Sequence, residues 1–228
     1  MQLLSKVSIS EAFECYTLDE ILYIINKYNK VVVKAPWSSS GRGIRFLGDT
    51  IDDHTRGWLR NTFPQQGSAM VEPLYNKVLD FGMEFRRGSD GAVEYLGLSL
   101  FQTVNGAYTG NMLATEDVKR DILSRYISLD ELDAFTASAC AYLGDILTFS
   151  GHFGIDMMAV VNGSNPSDGF LLHPCVELNL RRTMGHVALA LSPNELEPRK
   201  LMRIFFNSGK YKMRISTTAE NLLNTGLV

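Results

Sequence analysis

The sequence has 228 residues, 45% of them hydrophobic and 21% charged, which is enough apolar material for one large or two small globular domains. Its formal net charge of −3 argues against nucleic acid or a membrane surface as partner, and no apolar run reaches the roughly 18 residues of a membrane span. Three cysteines without CxxC spacing argue against a disulfide framework or a structural zinc site, so we expect a cytoplasmic protein.

The first part of the chain alternates helical and strand-like patterns. Thr17 is typical of a helix start, and the β-branched run Val31-Val32-Val33 is typical of a buried strand. The predicted elements are a helix at residues 17–28, a strand at 30–35, a strand at 44–47, a helix at 52–63 and a strand at 68–72.

A change of composition at residues 72–80 predicts a linker between two lobes, residues 1–75 and 76–228. In the second lobe, Asn105-Gly106 is a strong signal for a β-hairpin. The elements predicted there are strands at 81–86, 93–102 and 107–113, helices at 116–125 and 129–149, a hairpin carrying Asp156 and Glu177, a helix at 195–206 and a strand at 211–215. Segregated helices and antiparallel strands indicate an α+β fold.

A lysine and a glycine-rich loop come close together after the first strand. Lys34 ends that apolar strand, and Ser38-Ser39-Ser40-Gly41-Arg42-Gly43 offers backbone N–H groups that a phosphate can approach closely. The loop is not a GxxxxGK[ST] motif, because no Lys-Ser or Lys-Thr follows Gly43. Two interpretations stay open: a nucleotide phosphate site, or a surface hairpin beside a lysine whose ammonium group reaches water.

Three oxygen-bearing side chains form the clearest candidate for a metal site. In Glu177-x-Asn179 on a strand, both side chains point to the same face. Asp156 lies on another apolar strand, and the turn signal at residues 162–169 folds one strand against the other. Magnesium binds such oxygen donors and leaves positions for substrate phosphates. The alternatives are an edge-strand carboxylate and a strand end at which Asn179 starts a turn.

Arg181 and Arg182 follow these residues directly, and their guanidinium groups suit carboxylate or phosphate oxygens as well as surface ion pairs. The four histidines show no metal-ligand spacing, although His173 and His186 lie near the acidic strand in sequence. No Gly-x-Ser-x-Gly motif is present, so a serine hydrolase is not indicated.

Four segments, taken in order, resemble the ATP-grasp superfamily over about residues 8–190. They are the strand and loop from Val31 to Ile44, Val71-Glu72-Pro73-Leu74, Gly154-Ile155-Asp156, and Glu177-Leu178-Asn179-Leu180-Arg181. The resemblance implies two α+β lobes, each a mainly antiparallel sheet with helices, that hold ATP between them. It also implies a ligase that activates a small carboxylate as an acyl phosphate, which an amine or similar nucleophile then attacks.

The resemblance assigns roles to individual residues. Lys34 and Arg181 would take part in catalysis, with Lys34 on the ATP phosphates and Arg181, together with Arg182, on the substrate side. Asp156, Glu177 and Asn179 would bind one or two magnesium or manganese ions. The remaining ATP contacts would come from the loop Ser38, Ser39, Ser40, Gly41, Arg42 and Gly43, from Glu72, Leu74 and Tyr75 at the adenine, and from Asp80 at the ribose.

The sequence departs from the family pattern at its start, where only 33 residues precede Lys34 and the usual N-terminal domain has no counterpart. Two explanations stay open: the chain is a fragment, or a separate N-terminal domain or a homo-oligomer partner supplies the missing half. Two further interpretations stay open beside the ligase. One is a catalytically incomplete nucleotide-binding module with a regulatory or assembly role, and the other is a structural α+β domain with no nucleotide site.

Overall fold

The computed structural model describes residues 8–38 and 43–217, and the chain divides into two compact units. The small unit consists of Ser10–Tyr75 together with Val104–Tyr108, and the large unit contains the rest. Each unit has its own antiparallel sheet and its own apolar core. The predicted α+β class is confirmed.

The small unit contains a four-stranded sheet in the order β1-β4-β2-β3, with all neighbours antiparallel. Its elements are β1 (Phe13–Cys15), α1 (Leu18–Tyr28), β2 (Val31–Lys34), β3 (Ile44–Leu47), α2 (Asp53–Gln66) and β4 (Ala69–Pro73). Thr17 caps α1 in a reciprocal capping box with Glu20, which explains why the helix begins there. The five elements predicted for this part of the chain are confirmed.

The large unit is built on a seven-stranded sheet in the order β11-β10-β7-β6-β5-β8-β9. Its strands are β5 (Lys77–Arg87), β6 (Val93–Val104), β7 (Ala107–Leu113), β8 (Gly151–Val161), β9 (Phe170–Asn179), β10 (Lys200–Asn207) and β11 (Lys210–Thr217). Its helices are α3 (Glu116–Leu123), α4 (Leu129–Ile146) and α5 (Met184–Leu191), with a short 3-10 helix at Pro166–Asp168. The tip of the β6–β7 hairpin belongs to the small unit.

The two faces of the large sheet differ in chemistry. One face is apolar: Phe81 and Met83 of β5 and Ile155 and Met157 of β8 are buried in a core that includes residues of α3 and α4. Because side chains alternate along a strand, every second residue of β5 and β8 projects to the opposite face. Those residues include Glu84 and Asp156, so the central strands present a polar face opposite the core.

The predicted helix at residues 195–206 is wrong. The chain forms strand β10 there, followed by a tight turn and strand β11. Pro198 would interrupt a helix because it lacks a backbone N–H and clashes with the preceding turn. Ser208 and Gly209 both have positive φ values (52° and 77°), the combination that closes a two-residue hairpin. Within the described residues, no helix combines the length and apolar character needed to cross a membrane.

Candidate active site

Polar side chains from β5, β8 and β9 meet on the face of the large sheet opposite the core. These strands are neighbours in the order β5-β8-β9. The register aligns directly opposed residues in two rows: Gly82, Asp156 and Glu177 in one, and Glu84, Gly154 and Asn179 in the next. Asp156, Glu177 and Asn179, which the sequence analysis selected, are therefore brought together. With Glu84 they form what we call the polar face.

Asp156 lies in surroundings that disfavour its charged form. It is partly buried, Glu177 is its direct cross-strand neighbour, and Glu84 is close on the other side. Burial, followed by the charges of Glu177 and Glu84, raises the pKa of Asp156 to about 7, although a hydrogen bond from Asn179 Nδ2 to Asp156 Oδ2 (3.0 Å) acts in the opposite direction. A cation bound here would favour the ionised carboxylates.

The donor set of the polar face suits a hard divalent cation. Directly opposed Cβ atoms in antiparallel strands are roughly 5 Å apart, so the carboxylates of Asp156 and Glu177 can reach one ion. Asn179 can add its amide oxygen after a rotation of the amide, since Nδ2 faces Asp156. In the described ranges no three His, Cys, Asp or Glu side chains are grouped as a metal site. An ion here would have two carboxylates and one amide as protein ligands.

Glu84 is a buried acid of the polar face that the sequence analysis did not select. Its Oε2 accepts a hydrogen bond from Thr183 Oγ1 (2.8 Å) and lies 2.8 Å from His186 Nδ1. Burial lowers the pKa of His186, but the hydrogen bond to Glu84 and the charge of Glu84 together outweigh it, so the pKa of His186 is raised. Glu84 therefore stabilises the charged form of this imidazole more than water would stabilise that of an isolated histidine.

Two glycines make room for Glu84. A Cβ atom on Gly154 would lie 2.5 Å from Glu84 Oε2, and one on Gly185 would overlap Oε1. Thr183 caps α5, since its hydroxyl accepts a hydrogen bond from the backbone N–H of Gly185 (3.0 Å) while it donates to Glu84. Glu84 thereby ties the start of α5 to the sheet.

Arg181 and Arg182 lie in the short connection from β9 to α5. Both side chains are exposed. The backbone N–H of Arg181 donates to the carbonyl of Asn179 (2.8 Å), and its Nη1 donates to the carbonyl of Arg182 (3.4 Å). The connection is anchored at one end by Asn179 and at the other by Thr183, so two guanidinium groups leave the sheet directly beside the polar face.

In the small unit, Lys34 and Glu72 form an ion pair on neighbouring strands. Lys34 Nζ lies 2.7 Å from both carboxylate oxygens of Glu72, and both side chains are largely buried. The lysine at the end of the apolar strand therefore has a charged partner and is not a solvated surface group. Next along the chain, the backbone N–H of Leu74 donates to the carbonyl of Lys30 (2.9 Å), and Tyr75 ends the first segment of the small unit.

The glycine-rich loop is described only at its two ends. Ser38 Oγ donates to the carbonyl of Ala35 (3.0 Å), and the N–H of Ala35 donates to the carbonyl of Gly43 (2.8 Å). These bonds close the base of the loop after Lys34. The predicted phosphate contacts at Ser39, Ser40, Gly41 and Arg42 lie outside the described residues.

Asp80, the predicted ribose contact, lies on β5 in the large unit. Its Oδ2 accepts hydrogen bonds from Lys77 Nζ (2.5 Å) and from Thr103 Oγ1 (2.7 Å). The carboxylate is therefore already oriented by a cation and a hydroxyl. Asp80 also contributes to the negative charge around Asp156.

Solved structures with the same arrangement of elements identify the fold. A complex of biotin carboxylase with β,γ-ATP from Campylobacter jejuni matches with a TM-score of 0.62 and 11% identity over 89% of this chain and 49% of that chain. N5-carboxyaminoimidazole synthetase from Staphylococcus aureus, complexed with ADP, matches with a TM-score of 0.57 and 12% identity over 89% of this chain and 54% of that chain. Both are ATP-grasp enzymes. The chain has the ATP-grasp fold. The resemblance inferred from the sequence is confirmed at the level of the fold.

A third match with the ATP-grasp fold is the biotin carboxylase domain of a 2-oxoglutarate carboxylase from Hydrogenobacter thermophilus, in complex with MgADP, ADP and bicarbonate. Its TM-score is 0.57 at 12% identity, over 87% of this chain and 46% of that chain. The chain thus spans about half the length of the solved structures it matches. No family model matches the sequence, and neither does any curated protein.

Proposed function

We propose that the protein is an ATP- and magnesium-dependent ligase that activates a small carboxylate as an acyl phosphate. The observation that carries this proposal is the pair Asp156 and Glu177, two carboxylates opposed on neighbouring strands of a chain with the ATP-grasp fold. A charge repulsion of this kind lowers stability unless a cation is bound. The solved structures support the nucleotide, since those proteins were crystallised with ATP, ADP or MgADP.

In this proposal Asp156, Glu177 and Asn179 hold the divalent ion, magnesium or manganese. Such an ion neutralises phosphate oxygens and orients the nucleotide. Lys34, held by Glu72, donates to the phosphates, and the loop at residues 38–43 covers them. Glu72, Leu74 and Tyr75 contact the adenine, and Asp80, oriented by Lys77 and Thr103, contacts the ribose.

Arg181 and Arg182 supply the positive charge on the substrate side. A carboxylate oxygen of the substrate attacks the terminal phosphorus of ATP, the bond to the ADP oxygen breaks, and an acyl phosphate forms. An amine then attacks the acyl carbon and inorganic phosphate leaves. The negative charge on the transferred group has to be neutralised in both steps, and exposed guanidinium forks suit its oxygens. No side-chain nucleophile is needed.

The test measures nucleotide binding and turnover separately. Magnesium with ATP at 100 times its dissociation constant should stabilise the protein by about 2.7 kcal/mol. Glu177→Gln should abolish this gain, whereas the matched control Glu195→Gln, an exposed acid outside the polar face, should retain it. Unchanged magnesium-dependent stabilisation in Glu177→Gln would refute the metal assignment. Failure of ATP to stabilise the wild type would favour a structural domain.

A second candidate function is a nucleotide-binding module that does not turn over ATP. It is supported by the nucleotides named with the matched structures, which bear on binding and not on turnover. ADP release in the presence of candidate carboxylates and amines distinguishes the two functions. Release that depends on both substrates supports the ligase, and tight ATP binding without release under every combination supports the module.

A further inference from the structure

The hairpin of β10 and β11, which we call the terminal hairpin, lies at one edge of the large sheet. β11 is the last strand in the sheet order, and β10 pairs with β7 only from Lys200 to Arg203. Among the described strands, β11 therefore pairs only with β10, and residues 204–207 of β10 pair only with β11. Two-stranded hairpins without further support are marginally stable in water, so this arm presents surface that a partner can cover.

One face of the terminal hairpin is apolar although it is exposed. The register places Phe206 opposite Tyr211 and Ile204 opposite Met213, with Ile215 next on the same face. Tyr211 is 71% exposed, Phe206 63% and Met213 51%. The rings of Phe206 and Tyr211 pack against each other with centroids 5.2 Å apart. An edge strand with such a face is a natural site for strand addition.

The opposite face of the terminal hairpin is cationic. Arg203 lies directly opposite Arg214, and Lys212 follows on the same face, with Arg214 stacked over the Phe205 ring at 5.8 Å. Between Lys200 and Thr217 the sequence has five basic residues and no Asp or Glu, in a chain with a net charge of −3. Like charges directly opposed across strands are destabilising, and carboxylates placed beside them would remove this repulsion.

We propose that β11 binds an extended acidic segment of another protein as an additional strand. In this complex, alternate apolar side chains of the segment cover Tyr211 and Met213, and the intervening carboxylates pair with Lys212 and Arg214. The alternation of a strand matches the division of the hairpin into an apolar and a cationic face. Backbone hydrogen bonds to the edge of β11 that no described strand pairs with provide affinity, and the two faces provide specificity.

Other occupants fit the surface less well. A second copy pairing through β11 would place Lys and Arg residues opposite one another, which disfavours edge-to-edge dimers. A lipid surface that received the apolar face would have the cations on the side away from the headgroups. A nucleic acid that contacted the cationic face with its phosphates would leave Tyr211 and Met213 on the other face uncovered. An acidic strand alone uses both faces.

The first test uses the wild-type full chain with a fluorescent peptide of alternating Glu and Val, about as long as β11. We expect saturable binding at moderate salt. A peptide of the same composition with Glu and Val in separate blocks, and an alternating peptide N-methylated at every second residue, should bind at least about tenfold more weakly. Equal binding of the block or the N-methylated peptide would mean that charge attraction alone explains the binding, and it would overturn strand addition. Strand addition would also be overturned if the alternating peptide did not bind.

The second test maps the site. Lys212→Glu with Arg214→Glu should weaken binding of the alternating peptide at least about tenfold. The matched double control, Lys30→Glu with Arg60→Glu, makes the same change in net charge at exposed positions outside the hairpin and should retain affinity. Equal loss in both double variants would overturn the assignment. The acidic segment would also be overturned as the occupant if anionic vesicles or a DNA duplex bound more tightly than the peptide, with the same dependence on Lys212 and Arg214. Self-association of the protein that Met213→Asp abolishes would overturn it in favour of a second copy.

Discussion

Replacing Asp156 by Asn should stabilise the protein, and the gain should depend on pH. The pKa of Asp156 is raised from 3.8 to about 7, a difference worth about 4 kcal/mol. A carboxyl whose pKa is higher in the folded than in the unfolded state binds its proton more tightly when folded. Its unfavourable contribution is therefore absent well below pH 4, grows as the pH rises from 4 to 7, and is complete above pH 7.

The expected result is a gain in unfolding free energy for Asp156→Asn that is below about 1 kcal/mol near pH 4 and rises toward an upper limit of about 4 kcal/mol at pH 8. Asn keeps an oxygen that can accept the hydrogen bond from Asn179, so little other stability is lost. Urea unfolding followed by circular dichroism at several pH values measures the difference. The control Asp145→Asn, an exposed acid on α4, should stay within about 0.5 kcal/mol at every pH.

Two outcomes would refute this reasoning. A gain of the same size at pH 4 and at pH 8 would mean that packing, and not the charge of Asp156, is responsible. A loss of stability at pH 8 would mean that the ionised carboxylate is favoured without any added cation. With magnesium and ATP at 100 times the dissociation constant, the advantage of Asp156→Asn at pH 8 should shrink by about 2.7 kcal/mol, since the wild type binds the ion and the variant has lost a ligand for it.

Two further substitutions test other parts of the site. Lys34→Met should abolish ATP binding and lower the unfolding free energy by about 2 kcal/mol because it leaves the buried Glu72 without its cation. Adding Glu72→Leu should restore stability but not ATP binding, measured by calorimetry, and recovery of binding would contradict a phosphate contact. Gly185→Ala should lower the unfolding free energy by about 2 kcal/mol by displacing Glu84, although alanine favours helices. The control Gly57→Ala, at a helix position with open space around the glycine, should raise the unfolding free energy by about 1 kcal/mol. A gain in stability at both positions would rule out the close packing at Glu84.

The sequence was sufficient for elements whose ends are marked by local chemistry. Thr17 and Glu20 cap α1 within four residues of each other, and Asn105-Gly106 closes the β6–β7 hairpin with two positive φ values (52° and 78°). Such signals act over a single turn of chain, so no distant contact can override them easily. Ser208-Gly209 carries the same kind of signal, although a helix is predicted for the residues before it at 195–206.

Glu84 is a residue of the polar face whose partners cannot be found by considering one strand of the sequence at a time. It interrupts the apolar run from Phe81 to Phe85, which is the same signal that selected Asp156 and Glu177. Its partners, Thr183 and His186, are 99 and 102 positions further along the chain. Pairing at that distance depends on the order of strands in the sheet and on the glycines that make room for the side chain. Neither is visible in the local sequence.

The register between β8 and β9 decides which residue faces Asp156, and it changes along the hairpin. Near the turn, Val161 pairs with Phe170 and Met158 with His173, a register that would place Cys175 opposite Asp156. A bulge between Asp156 and Met158 shifts the pairing by two residues, so that Glu177 takes this place. A shift of two keeps every side chain on its face while it changes the neighbours. Pro174 lies within the bulge, and proline in a strand is confined to edges and bulges because it cannot donate to the ladder. The pairing of the two carboxylates therefore depends on this irregularity, which the sequence marks only by Pro174 in an otherwise strand-like segment.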